Sequence, residues 1–255
     1  NQAAGTWFHA SPEMYELVCL SLDYHDRTHG LFDPGILVAL QTVGYNRSFE
    51  LIQGQSLPGM TATLERPIPF RETRVDPARQ SIQLPQGLSI DLGGIAKGWI
   101  AEKAAQILAR YTTACAVDAG GDACLIGAPA QTKTWRMTLE NPQDSNRALA
   151  ILKLGAGGIA TSAVTRRRWQ QNGQLRHHLI DPRTQLPVDT EWNSVTVIAP
   201  HTAQAEVYAK SILIAGSAEV KQISRSNPDI EFIIIDQQNR LWGSKRSREY
   251  IDASN

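Results

Sequence analysis

The sequence predicts an α+β fold, because its strand patterns come in runs and hairpins as well as beside helices. Two further observations support this fold class. The 255 residues are 42% hydrophobic and 20% charged, an ordinary globular composition with ample material for a core. Turns that contain glycine or a carboxylate recur at the ends of apolar strands. The length allows one large domain or two small ones.

The first third of the chain predicts two helices and then a pair of strands. Ser11, followed by proline, indicates a helix start, and the apolar pattern carries that helix to about Arg27. A second, short helix is expected over residues 36–43. Residues 50–71 have no clear periodicity and are predicted to form a long loop, a length typical of a lid or of a mobile segment. Residues 73–84 predict the strand pair.

The segment from Asp91 to Gly98 is rich in glycine and lies where a strand-like apolar pattern changes to a helical one, expected to end near Tyr111. Glycine disfavours a helix, so its repetition here indicates that the backbone must come close to something. Free backbone N–H groups at a helix start suit a phosphate, and Lys97 adds a cation. A tight turn whose glycines serve only packing is the alternative. The segment is neither the dinucleotide-binding glycine motif nor a Walker motif.

The second half of the chain predicts hairpins and one further helix. Its expected elements are a strand, glycine turn and strand over 115–126, strands at 135–139 and 148–154 joined by a polar loop, a small-residue turn at 157–162, a hairpin of 166–170 and 174–180 around Asn172-Gly173, a strand at 195–198, a helix from Thr202, a strand at 230–235, and a hairpin to Trp242. The Asp and Gly residues of the first turn are also what an ordinary hairpin uses.

Charge and composition exclude several classes of function. The net charge is zero, so neither nucleic acid nor an anionic membrane is expected as a partner. No apolar run is long enough to span a bilayer, and no signal peptide is visible at Asn1. The three cysteines lack metal-binding spacing. These features therefore assign the protein neither to the cell envelope nor to the cytoplasm.

Five motifs, in one order and spread over nearly the whole chain, resemble the FAD:protein FMN transferase family, the ApbE-type flavin transferases. They are Gly30-Leu31-Phe32-Asp33-Pro34, Asp91-Leu92-Gly93-Gly94-Ile95-Ala96-Lys97-Gly98, Ala119-Gly120-Gly121-Asp122, Ile159-Ala160-Thr161-Ser162 and His178-Leu179-Ile180-Asp181-Pro182-Arg183-Thr184. The resemblance implies one T-fold-like α+β domain over residues 1–255, with FAD in a cleft between two halves. It also implies that Asn1 matches the middle of the family's N-terminal region. Any membrane association would come through the segment before it.

The resemblance also implies a reaction. Such proteins cleave the FAD pyrophosphate with Mg²⁺, pass FMN to a threonine or serine hydroxyl of a target flavoprotein, and release AMP. The residues that would contact FAD are Leu31, Phe32, Asp33, Asp91, Lys97, Gly120, Gly121, Asp122 and Ile180. The metal positions would be the Gly94 carbonyl, Glu206 and Lys210.

His178 is the catalytic candidate, since it matches the family histidine proposed to assist proton transfer. A histidine whose pKa lies near neutrality can accept the proton of an attacking hydroxyl. A structural histidine at a strand end is the alternative. The adjacent pair of His177 and His178 is a poor metal site, because neighbours on a strand point to opposite faces.

The sequence departs from the family at the metal positions. Glu206 and Lys210 stand where the family has an Asp and a Thr, and an ammonium group has no electron pair for a metal. At ~4 Å and an effective dielectric of ~20, an ammonium and a dication repel by about 8 kcal/mol. The hypothesis is that Lys210 takes the place of the metal and donates to the FAD phosphates. Ala163 and Gln185 also replace residues that are commonly glycine in the family.

Three alternatives to transfer stay open at this point. A divergent member could bind FAD without transferring FMN, which Lys210 favours. A pyrophosphatase would release AMP and FMN to water without a protein acceptor. In a third reading, the glycine turns are structural and no flavin is bound.

Overall fold

The computed structural model describes residues 1–54, 56, 57 and 68–252, which form two compact units. Unit 1 comprises Asn1–Gly94 and Arg167–Asp189, and unit 2 comprises Ile95–Arg166 and Thr190–Asn255. Each unit is discontinuous in sequence and combines helices with mainly antiparallel strands, which confirms the α+β fold class. The expectation of one domain over the whole chain stays a prediction.

The elements are these, in chain order. The strands are β1 (Phe8–His9), β2 (Ser56–Leu57), β3 (Arg74–Asp76), β4 (Ser81–Gln83), β5 (Cys115–Asp118), β6 (Ala123–Ile126), β7 (Trp135–Asn141), β8 (Asp144–Leu154), β9 (Gly157–Ala163), β10 (Arg168–Gln171), β11 (Gln174–His177), β12 (Ile180–Asp181), β13 (Leu186–Pro187), β14 (Trp192–Ala199), β15 (Glu231–Asp236) and β16 (Leu241–Gly243). The α-helices are α1 (Pro12–Arg27), α2 (Leu37–Thr42), α3 (Ala96–Leu108) and α4 (Thr202–Ser226), and short 3₁₀ helices span Pro34–Ile36, Phe49–Leu51, Phe70–Glu72 and Ser247–Tyr250.

Unit 1 contains α1, α2 and three small sheets, in the strand orders β1-β4-β3, β11-β10-β2 and β12-β13. The predicted start of α1 is confirmed, because the Ser11 hydroxyl accepts the N–H of Met14 at 3.3 Å. The predicted hairpin of β10 and β11 is also confirmed. Its turn residues Asn172 and Gly173 have φ values of 50° and 74°, the left-handed pair that a two-residue hairpin needs.

The predicted loop over residues 50–71 is wrong at Ser56–Leu57. This pair forms β2 and lies parallel to Gln170 and Gln171 of β10. Leu57 is buried in one cluster with Ile52 and Trp169, which holds the strand in place although its sequence has no periodicity. Residue 55 and residues 58–67 of the expected loop lie outside the described residues.

Unit 2 is built on a six-stranded antiparallel sheet with the strand order β16-β15-β14-β9-β6-β5. Helix α4 packs on β9 and β14, and α3 packs on α4, β5 and β6. The predicted turn at residues 157–162 is wrong, because these residues form the central strand β9. Glycine and alanine are needed there because α4 lies very close: a Cβ on Gly158 would be 2.4 Å from the Thr202 Cα.

Several predicted boundaries in the rest of the chain also move. The polar loop expected between 139 and 148 is mostly strand, because β7 and β8 pair almost to their tips. The pairing of the two strands shifts in register near Glu140. Helix α3 ends at Leu108 rather than near Tyr111. The strand-like pattern before Asp91 forms only β4, and residues 84–95 contain neither helix nor strand. In the described part of the chain, no helix is long and apolar enough to cross a membrane.

Because α4 lies so close to β9, we expect alanine substitutions at two glycines to differ greatly in their effect on stability. Gly158→Ala places a methyl group against the Thr202 backbone, so we expect a loss of about 3 kcal/mol in the free energy of unfolding, or no folded protein. Gly155→Ala meets no atom within 4 Å and is the matched control, with a change within about 0.5 kcal/mol. Urea denaturation measures both, and equal stability of the two variants would contradict the packing described.

Candidate functional site

Four charged side chains of unit 2 form a contiguous group, named here the lysine–carboxylate cluster: Lys97, Asp122, Glu206 and Lys210. The Lys97 ammonium donates to Asp122 Oδ2 and lies 3.4 Å from Glu206 Oε1. The Lys210 Nζ donates to the same Glu206 oxygen at 3.0 Å. Cations and anions therefore alternate, and the formal charge of the cluster is zero.

Glu206 is held by the start of a helix other than its own. It lies in the second turn of α4 and its Oε2 accepts the N–H of Gly98, in the first turn of α3, at 2.8 Å. The two helices approach closely at Gly98, since a Cβ there would be 2.6 Å from the Thr202 carbonyl oxygen. A carboxylate at a helix N-terminus is stabilised by the unpaired N–H groups and by the helix dipole. Part of the glycine motif thus serves helix packing, as the alternative reading expected.

Asp122 is presented by the tight turn between β5 and β6. Gly120 and Gly121 have φ values of 75° and 98°, and the Gly121 N–H donates to Asp118 Oδ1 at 2.6 Å. The Thr161 N–H of the neighbouring strand β9 lies 3.4 Å from Asp122 Oδ1. The turn is the hairpin that its composition predicts, and it also places a buried carboxylate beside Lys97.

Burial is the largest influence on the pKa of three groups of the cluster, Lys97, Asp122 and Glu206. It opposes the charge of Lys97, but the charges of Glu206 and Asp122 outweigh it and raise the pKa of Lys97. Burial likewise opposes the charge of Glu206, but the lysines and the Gly98 N–H lower its pKa. For Asp122, burial and the charge of Glu206 prevail and raise the pKa. The carboxylates are buried, whereas the side chains of Lys97 and Lys210 are 32% and 16% exposed.

The cluster does not fit the divalent metal ion that the resemblance implies. Both oxygens of Glu206 already accept N–H donors. Lys210, for whose position the resemblance implies an oxygen ligand, has an ammonium group instead. Mg²⁺ requires oxygen ligands at about 2.0–2.1 Å in near-octahedral geometry. Among the described residues, no three or more His, Cys, Asp or Glu side chains are grouped to hold a metal. The predicted contact of the Gly94 carbonyl with a metal stays a prediction.

Asp33, in unit 1, belongs to a second charged arrangement. Its Oδ1 accepts the Gly35 N–H at 2.6 Å, and its Oδ2 lies 3.7 Å from His25 Nε2. Hydrogen bonding to Asp33 raises the pKa of His25, against the opposing influence of burial. The sequence did not point to His25, because it stands eight positions before Asp33 in no motif. The neighbouring side chains of Leu31 and Phe32 are buried.

Asp91 and Gly93 form a turn of their own in unit 1. The Gly93 N–H donates to Asp91 Oδ1 at 2.9 Å. This carboxylate oxygen therefore caps its own loop, as Asp commonly does in turns. The predicted contact of Asp91 with FAD stays a prediction, as do those of Leu31, Phe32, Asp33 and Ile180.

His178 lies directly after β11 and is half-buried. Its ring centroid is 6.4 Å from that of Tyr45, which in turn is 5.5 Å from that of Trp169. The adjacent His177 is the structural member of the pair. Its Nε2 donates to the Val188 carbonyl at 3.2 Å, and burial lowers its pKa to about 4.

The comparisons with known proteins agree with the predicted resemblance. A sequence model described as the ApbE family matches residues 1–234. A protein of Treponema pallidum (strain Nichols) named FAD:protein FMN transferase is 27% identical over 244 residues, which cover 91% of this chain and 67% of that protein. A protein of the same name from Klebsiella pneumoniae (strain 342) is 26% identical, over 98% of this chain and 74% of its own.

Solved structures show the same fold. The crystal structure of the ApbE protein of Thermotoga maritima has a TM-score of 0.84 at 22% identity and covers 98% of this chain and 82% of its own. The flavin transferase ApbE of Vibrio cholerae has a TM-score of 0.78 at 22% identity, over 97% of this chain and 80% of its own.

The buried charge of Glu206 predicts a strong dependence of stability on this residue. Glu206→Gln keeps an acceptor for Gly98 but leaves two lysines with one carboxylate, so we expect a loss of about 3 kcal/mol in the free energy of unfolding. Glu249→Gln, at an exposed position of unit 2, is the control and should change stability by less than about 0.5 kcal/mol. Chemical denaturation at neutral pH measures both, and a Glu206 variant as stable as its control would refute the role assigned to this carboxylate.

The buried His177 predicts a loss of stability in acid. The pKa of a histidine is about 6.5 in the unfolded chain and about 4 in the folded protein, so the unfolded state binds the extra proton as the pH falls between these values. The contribution of His177 is complete above pH ~6.5 and declines by up to about 3 kcal/mol as the pH falls to ~4. His177→Gln should flatten this part of the pH profile of unfolding.

His29→Gln, at an exposed position of the same unit, is the control and should follow the wild-type profile. If both variants lose stability in acid as the wild type does, His177 is not the group responsible.

Proposed function

Because the chain belongs to the ApbE family, we propose that it is an FAD:protein FMN transferase, which moves FMN from FAD to a threonine or serine hydroxyl of a target flavoprotein and releases AMP. The observation that carries the proposal is the lysine–carboxylate cluster. Two motifs that are far apart in sequence bring Lys97 and Asp122 into direct contact, and Lys97 also contacts Glu206 of α4. This is the arrangement expected if these motifs share one task.

The chemistry of the cluster suits a pyrophosphate. Cleavage of a phosphoryl bond builds negative charge on the departing phosphate, and fixed cations in a partly buried site stabilise it. Lys97 and Lys210 are such cations, and the carboxylates beneath them fix their positions. In the proposed reaction the two lysines contact the FAD pyrophosphate.

The reaction itself needs a proton acceptor and a leaving group. The acceptor hydroxyl attacks the phosphorus of the FMN half, its oxygen–phosphorus bond forms, and the bond to the AMP phosphate breaks. His178 takes the hydroxyl proton, the role that the resemblance assigns to it. Mg²⁺ is expected from the resemblance alone, and no step is assigned to it because the cluster does not fit it.

The decisive experiment incubates the protein with FAD and a recombinant flavoprotein domain that carries FMN on a threonine in its mature form. AMP is measured by chromatography and the FMN adduct by mass spectrometry. AMP together with the adduct supports the transferase. AMP without the adduct indicates a pyrophosphatase, and FAD binding with neither product indicates a flavin-binding protein without transfer; both outcomes overturn the proposal.

If His178 is the proton acceptor, its substitution should slow FMN transfer without weakening FAD binding. His178→Asn removes the proton acceptor, so we expect adduct formation to fall by about 100-fold or more, within the range attributed to general acid–base catalysis. FAD affinity should change by less than about 3-fold. His29→Asn is the matched control and should leave both quantities unchanged. A His178 variant with wild-type turnover would exclude His178 as the proton acceptor.

A further inference from the structure

The carboxylates of the lysine–carboxylate cluster are already satisfied by groups of the protein itself. Glu206 Oε2 accepts the Gly98 N–H at 2.8 Å, and its Oε1 accepts Lys210 at 3.0 Å with Lys97 at 3.4 Å. Asp122 accepts Lys97. A metal ion bound to these carboxylates would lie beside two ammonium groups, which repel it. The ammonium groups of Lys97 and Lys210 therefore already provide the positive charge that a metal would bring to these carboxylates.

Lys210 is the cation that is best placed to replace a metal. Its side chain is 16% exposed, whereas that of its partner Glu206 is 1% exposed. Glu206 is four residues earlier on the same helix, so one turn of α4 fixes the pair. One of the three N–H donors of Lys210 goes to Glu206, and a lysine ammonium can point its other donors at phosphate oxygens. Lys97 provides a second ammonium group beside the same Glu206 oxygen, at 3.4 Å.

We propose that the Lys210 ammonium stands in for a divalent cation, so that this chain binds the pyrophosphate of FAD, and reacts with it, without Mg²⁺. This inference rests on the proposed function and deepens it, since it names the group that neutralises the phosphates. It also predicts selectivity. A dinucleotide pyrophosphate places its phosphate oxygens on the cluster, whereas riboflavin, which has the same ring and no phosphate, cannot use Lys210.

The test is FAD binding by titration calorimetry, with protein dialysed against EDTA and then with added Mg²⁺. We expect the wild-type Kd to change by less than about 2-fold between the two conditions, and Mg²⁺ alone to give no binding heat. Lys210→Thr restores an oxygen and removes the charge. We expect it to weaken FAD binding by about 10-fold or more in EDTA and to recover part of the affinity when Mg²⁺ is added.

Two further variants separate charge from metal ligation. Lys210→Met removes the charge and supplies no oxygen, so FAD binding should be lost to the same extent and Mg²⁺ should not restore it. Lys221→Thr, on the exposed second half of α4, is the matched control and should behave as the wild type. Thermal unfolding of each variant identifies any that is misfolded, and the comparison of the wild type with and without Mg²⁺ decides the question in that case.

The outcomes also distinguish this inference from the proposed function. Wild-type FAD binding or AMP release that increases more than about 10-fold with Mg²⁺ overturns the role of Lys210 and leaves the transferase standing. Riboflavin affinity that falls with Lys210→Thr as much as FAD affinity does also overturns that role. Absence of FAD binding in both conditions overturns both proposals. FAD binding and AMP release at equal rates in EDTA and Mg²⁺ support the inference.

Discussion

The buried carboxylate of Glu206 is the constraint on which the rest of unit 2 depends. An ionised carboxylate with 1% of its side chain exposed is stable only when opposite charges and hydrogen-bond donors surround it. Lys97, Lys210 and the Gly98 N–H provide that environment. Because the donor from α3 is a backbone group, the start of α3 must lie against α4 for Glu206 to be satisfied.

This contact explains why small residues recur where they do. Gly98 lets α3 approach the backbone of Thr202, and Gly158 lets strand β9 approach the same residue from the sheet. Thr202 is the first residue of α4 and is fully buried. The N-terminal turns of α4 are therefore held by α3 and by the sheet, and Glu206 lies one turn further on. Gly98, which belongs to the glycine-rich segment that suits a phosphate, is therefore also needed for this packing.

The sequence predicted the elements with strong periodicity and missed those whose pattern is shaped by a neighbour. Helix α1 and the hairpin around Asn172 were predicted because Ser11 and the Asn-Gly pair act locally. Strand β9 was predicted as a turn because its small side chains reflect the closeness of α4, which lies about 40 residues later in the sequence. Strand β2 was missed because two residues, Ser56 and Leu57, carry no periodicity. For β9 and for β2 alike, the residues that determine the structure are far away in sequence.

The candidate site divides in the same way. The motifs and the family resemblance identified Lys97, Asp122, Glu206 and Lys210, and the structure brings these four together. They did not identify the Gly98 N–H or His25, because a backbone donor and a solitary histidine leave no pattern in the sequence. The sequence predicted a conflict between Lys210 and a metal, but it could not predict that both oxygens of Glu206 already accept N–H donors of the protein.

The fold can accommodate a lysine at position 210 in place of a metal without any change of structure. A dication on the carboxylate of Glu206 would lie beside the ammonium groups of Lys97 and Lys210, and like charges at that distance repel strongly. Where residue 210 has a neutral oxygen, the carboxylate one turn earlier has an unbalanced charge and a metal can supply the balance. Where residue 210 is lysine, the balance is supplied within α4 at 3.0 Å. A helix that carries both the anion and its counter-ion needs no cation from solution to fold, and it presents the ammonium to whatever anion binds above it.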